Sequence, residues 1–120
     1  MPYLYTAHHD SARINKHYDL CEKSQDPYVI CQVRGTKADV IFDIASLDQN
    51  QRAVLDVDVA EIAKDLGPLI ARHTRLKDKD LVSAHDITIR DLPIEPAKAL
   101  AEDLFNFYAA RLRKTKRDFS

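Results

Sequence analysis

Residues 28–44, Tyr-Val-Ile-Cys-Gln-Val-Arg-Gly-Thr-Lys-Ala-Asp-Val-Ile-Phe-Asp-Ile, read as a β-hairpin in a single register. Gly35-Thr36 suits a two-residue type II′ turn, whose first central residue needs φ > 0. That turn pairs Arg34 with Lys37, Val33 with Ala38, Cys31 with Val40 and Val29 with Phe42. One face then carries Val29, Cys31, Val33, Ala38, Val40 and Phe42, all apolar. The other carries Tyr28, Gln32, Arg34, Lys37, Asp39 and Asp43, with Ile30 and Ile41 as its one apolar pair. Asp39 falls opposite Gln32 and reads as a solvated cross-strand pair. A slip of one residue mixes the two sets, so the pattern specifies the register.

The flanking segments supply the rest of a fold. Tyr3-Leu4-Tyr5-Thr6 is a short first strand. Asp10 or Ser11 caps a helix to about residue 24, with Ile14, Tyr18 and Cys21 on one stripe, and Asp26-Pro27 ends it. After the hairpin, Ser46-Leu47-Asp48-Gln49 opens a short helical turn. Asp56 or Asp58 caps a longer helix with Val59, Ile62, Ala63, Leu66 and Ile70 on one side. Gly67-Pro68 inside that helix predicts a kink or a break and restart. Residues 77–81 are a solvated turn. Residues 82–90 alternate as a strand, with His85, Ile87 and Ile89 on its inner face. A final helix starts near Pro93 and Pro96 and buries Ala97, Leu100, Ala101, Leu104, Tyr108 and Leu112. The order β-α-β-β-α-β-α predicts an α+β fold, with an antiparallel, ferredoxin-like sheet, helices on one face and an added C-terminal helix. No linker divides the chain, so residues 1–120 are expected to form one domain, with 112–120 as a basic, fraying tail.

The balance of charge limits the classes of partner. With 18 basic and 19 acidic residues and a net charge of −1, the chain is not basic throughout, although a local basic patch is compatible with that total. No apolar run approaches the roughly 18 residues of a membrane span. The first residues lack the basic start and apolar stretch of a secretory signal. The expected setting is therefore cytoplasmic, with no membrane contact. In that reducing compartment the two cysteines, Cys21 and Cys31, are expected as free thiols.

Three groups of residues bear on function. His8, His9, Asp10, His17 and Cys21 cluster in sequence, and His17 and Cys21 share a helical face, workable spacing for two metal ligands. A structural zinc site wants four convergent ligands, and neither a Cys-x-x-Cys nor a second spaced pair is present. No metal and no cofactor is therefore expected, and the histidines read as surface groups on a helix start. Asp56-Val57-Asp58 reads likewise as helix capping rather than cation binding. Arg111, Arg113, Lys114, Lys116 and Arg117 form a basic run that can neutralise phosphates, or simply complement a helix C-terminus. Ile30 and Ile41, apolar on a polar face, and Phe105, at the edge of the last helix's stripe, mark a protein contact unless another element covers them. The C-terminal helix is the candidate cover.

No Gly-rich phosphate loop and no recognisable catalytic triad or Cys-His pair occurs in the sequence. The expectation is a small, non-catalytic, cytoplasmic binding or regulatory protein. It acts through a protein–protein interface at Ile30, Ile41 and Phe105, as a homodimer or as a subunit of a complex. The alternative is a nucleic-acid-associated protein using residues 111–117.

Overall fold

The computed structural model of the protein describes residues 3–7, 10–44, 47–50, 52–53, 59–83 and 85–118, with side chains described as far as Arg111. Strands β2 (Tyr28–Arg34) and β3 (Lys37–Asp43) form the hairpin, and all seven cross-strand pairs from Tyr28–Asp43 to Arg34–Lys37 fall in the expected register. Gly35 takes φ 61° while Thr36 stays at negative φ, as the type II′ turn requires. The apolar face of the hairpin is buried, with Val29, Cys31, Ala38 and Val40 fully enclosed.

Strand β1 (Leu4–Ala7) precedes helix α1 (Ser11–Ser24). Asp10 caps α1 by accepting a hydrogen bond from the Arg13 N–H, and Gln25 closes it in the left-handed conformation just before Asp26-Pro27. Helix α2 (Val59–Ala71) buries Ile62, Leu66 and Ile70, while Ala63 faces solvent. The helix runs unbroken through Pro68, contrary to the expected break. Pro68 lies in its last turn, where a single carbonyl loses its donor, and the buried stripe continues past it on Leu69 and Ile70. Helix α3 (Ile94–Asp118) buries Ala97, Leu100, Ala101, Leu104 and Tyr108, and the side chain of Leu112 lies outside the described set.

The expected strand at 82–90 is two strands. Leu81–Val82 (β4) turns back antiparallel onto Asp86–Pro93 (β5). The Ser83 hydroxyl oxygen accepts from the His85 and Asp86 N–H groups, which makes a turn in the middle of the alternating run. His85 therefore sits in a turn and not on the inner face of a strand.

Among the described residues the five strands form one sheet in the order β1-β2-β3-β5-β4. The fold is α+β, but the sheet is mixed rather than antiparallel, because β1 lies beside β2 and parallel to it. A ferredoxin-like arrangement would insert another strand between those two. The helices also occupy both faces. Phe42 stacks on Tyr108 with ring centroids 4.1 Å apart, and Lys98 lies over the Tyr5 ring, which puts α3 on the Val29–Phe42 face together with α2. The rings of His17 and Tyr18 meet Tyr28, which puts α1 on the opposite, Ile30 face over β1 and β2. A parallel pair needs a crossover connection, and α1 makes it on the side that α2 and α3 leave open.

Candidate functional site

The buried polar side chains among the described residues are Thr6, Gln32 and Asp39. The pairing registers set Thr6 beside Gln32 and Gln32 beside Asp39, so the three form a single row across β1, β2 and β3 on the Ile30 face. Asp39 is 4 % exposed, so its pairing with Gln32 is not the solvated one expected. The cause is β5. Between Ala38 and Val40 the β3–β5 ladder slips by one residue, and Asp91 adopts φ 61° in the resulting bulge. The Asp39 carboxylate accepts the displaced Asp91 N–H at 3.1 Å and Arg34 Nη2 at 2.9 Å.

Arg34 Nη2 also donates to the Asp91 carboxylate at 2.7 Å, and Lys79 Nζ donates to its other oxygen at 3.1 Å. The hydrogen bond to Asp39, followed by the charges of Asp39 and Asp91, holds the Arg34 guanidinium more firmly protonated than usual. Lys79 and then Arg34 hold the Asp91 carboxyl below its ordinary range. At the β1 end of the row, the Thr6 hydroxyl donates to the Asp10 carboxylate at 3.3 Å. The Asp39 carboxylate is thus spent on ordering a bulge and an arginine. Where β1 and β2 end, an open hollow is lined by Tyr5, Thr6, Ala7, Arg13, Val33, Arg34 and Gly35.

The residues singled out from sequence do not gather at this row. Ile30 is only 1 % exposed on the face that α1 covers, so an element does cover it, but it is α1 and not the C-terminal helix. Ile41 is half-buried, and Phe105 is half-buried against the core at the edge of the α3 stripe. Among the described residues the large apolar side chains that are exposed are Leu76 (50 %), Leu81 (56 %) and Val82 (36 %), the last two forming β4, and Leu20 on α1. Sequence reading missed Leu81 and Val82 because residues 77–81 looked like turn and Val82 like the start of a paired strand, and it assigned Leu76 to no element.

His17 and Cys21 do come together, with Nε2 and Sγ 3.6 Å apart. His17 Nε2 faces the Val29 carbonyl oxygen at 3.0 Å, a contact that requires its proton, and burial lowers the pKa of the ring. The Cys21 thiol donates to the Pro27 carbonyl, and burial, with Asp26 nearby, raises its pKa to about 11. Both cysteines are free and buried. His8 and His9 lie outside the described residues, as do Asp56 and Asp58. Among the described residues no three His, Cys, Asp or Glu side chains converge. Arg111 is held by Asp65 at 2.6 Å and lies over the Phe107 ring. The side chains of Arg113, Lys114, Lys116 and Arg117 lie outside the described set. No described helix is long and apolar enough to cross a membrane. Neither a protein-family model, nor a curated protein, nor a solved structure matches the chain.

Proposed function

We propose that the protein is a small, non-catalytic binding protein of the cytosol that works through a protein–protein contact at the β4 edge of its sheet. The observation that carries this reading is that both residues of the outer strand β4, Leu81 and Val82, are apolar and exposed, with Leu76 exposed on the segment that leads into it. A sheet edge offers backbone donors and acceptors to an added strand, and alternate side chains such as Leu81 supply the apolar contact. Two copies can meet edge to edge about a two-fold axis, so a homodimer is the simplest assembly. The contact belongs at this edge rather than at Ile30, which α1 shields. Free, buried thiols support a reducing compartment.

The test is sedimentation of the wild type beside a Leu76→Lys, Leu81→Lys variant, with circular dichroism to check folding. The wild type is expected to self-associate, or to hold a protein partner, and the variant to lose that contact while keeping its spectrum. A variant that keeps the wild-type assembly sinks the proposal. A second reading, nucleic-acid association, draws on the basic run Arg111, Arg113, Lys114, Lys116 and Arg117 in the sequence of the last helix. Binding that falls steeply between about 50 and 200 mM salt, and that disappears when these residues are changed to Gln, would favour it.

A further inference from the structure

The hydrogen bonds around β5 show which backbone groups β4 leaves open. The Ser83 N–H donates to the Asp86 carbonyl oxygen at 2.8 Å, and on the other side of β5 the Ile44 N–H donates to that of His85 at 3.3 Å. Bonded and non-bonded pairs alternate along an antiparallel ladder, so Asp86 and Thr88 bond to β4 and Ile87 bonds to β3. Leu81, opposite Thr88, is therefore bonded inward, whereas Val82, opposite Ile87, turns its N–H and C=O away from the sheet. Among the described residues neither group finds a partner. The Asp80 N–H, next along on that side, is already taken by the Lys77 carbonyl at 2.9 Å. Val82 is thus the residue of β4 that offers both a donor and an acceptor.

The chain on either side of Val82 differs in charge. The segment that enters β4 exposes Arg75, Lys77 and Lys79. Of its two acids, Asp80 is turned onto the Lys77 and Arg90 N–H groups, which leaves Asp78. Past Val82 the chain turns at Ser83 into Asp86, which is exposed and stands beside Asp43 of β3. An antiparallel strand of the same sequence sets the basic entry of each copy beside the acidic exit of the other. We propose that a second copy of this chain adds to β4 antiparallel, with the two-fold axis at Val82, so that the two sheets continue as one. Each Val82 then donates to and accepts from Val82 of the other copy, and the bond pair asks nothing of Asp80. Leu81 of each copy lies diagonal to Leu81 of the other, on one face of the joined sheet. This inference rests on the reading of the β4 edge as a protein contact, and adds the identity, direction and register of the partner strand.

The experiment is mild oxidation of the full chain carrying Val82→Cys or Leu81→Cys, followed on non-reducing gels, with sedimentation and circular dichroism alongside. Cys21 and Cys31 are buried, so the wild type should give no cross-linked dimer. Facing residues of a bonded antiparallel pair have Cα atoms about 5.5 Å apart, within disulfide range, while diagonal neighbours lie about 7–8 Å apart. Val82→Cys should therefore form an intermolecular disulfide roughly tenfold faster than Leu81→Cys, with the wild-type spectrum kept. A Leu81→Cys chain that cross-links as fast as Val82→Cys would overturn the register. Self-association that is lost in Leu76→Lys, Leu81→Lys, yet gives no cross-link through Val82→Cys, would overturn the geometry and leave the edge contact standing. So would a monomeric wild type that holds a different protein through Leu76 and Leu81. An assembly indifferent to Leu76 and Leu81 sinks both readings.

Discussion

Asp39 sits where β3 meets the bulge of β5, and its two bonds differ in what their loss would expose. Arg34 is 40 % exposed at its side chain, so without Asp39 its guanidinium returns to water and keeps Asp91. The Asp91 N–H, on a residue already in the left-handed region, would instead lose its acceptor. Asp39→Ala should therefore cost about 1–3 kcal/mol, the range for an orphaned buried donor, rather than the larger penalty of a stranded buried charge. Asp39→Asn keeps an acceptor and should cost less. Urea denaturation midpoints decide between the two, and equal losses would mean that the charge, not the acceptor, matters. The pairing of Asp39 with Gln32 was legible in the hairpin pattern, but its burial was not. The bulge depends on Asp91, one residue beyond the run whose alternation could be read, and no sequence period announces a residue with positive φ that is not glycine.

At the scale of elements, the hairpin was fully legible because its turn and both of its faces agree. Phe42, buried and stacked on Tyr108, is its deepest aromatic contact, and Phe42→Ala should cost roughly 3–5 kcal/mol by denaturant unfolding. A loss under about 1 kcal/mol would mean that α3 is not seated on this face. The elements that misled share a cause: alternation records burial but not chain continuity. Leu81-Val82 and Ile87-Thr88-Ile89 continue one pattern, yet Ser83 folds the chain back between them. The two thiols belong to elements on opposite faces, Cys21 under α1 and Cys31 under α3, and burial is the leading cause that raises each pKa to about 11. In the unfolded chain the thiols ionise near 9, while in the folded chain they remain protonated. Stability is therefore complete below about pH 9 and should fall as the pH rises through 11, because the unfolded state sheds protons first. A Cys21→Ala, Cys31→Ala variant should flatten that part of the pH–stability curve, and an unchanged slope would assign the loss to other groups.

For the molecule as a whole, local patterns left two arrangements open. A strand-helix-strand unit reads the same whether its strands touch or admit a third between them, and only the completed sheet decides. Here β1 and β2 touch, and β5 takes the place beside β3. That choice puts α1 across from the other helices and hides Ile30, so the apolar pair that looked like an interface was half core. It also leaves the sheet with two different rims: the apolar two-residue β4 at one side, and at the other β1, which ends beside an open hollow. Asp65–Arg111 and His73–Asp103, both at 2.6 Å, join α2 and the segment just after it to α3.

The strand order also sets how the chain must find its structure. Two neighbouring pairs in the sheet close long loops: β1 and β2 around α1, and β3 and β5, whose contact at Asp43 and Asp86 spans the longer separation and contains α2. Closing a loop of that length costs on the order of 3 kcal/mol in chain entropy, before any contact across it is gained. The rate-limiting step should then be the meeting of β3 with β5, while the β1–α1 crossover docks on the downhill side. Stopped-flow kinetics with conservative changes in the two places distinguish the events. Ile89→Val should slow folding, whereas Ile30→Val should act mainly by speeding unfolding. Equal effects on the folding limb would put the crossover in the transition state as well.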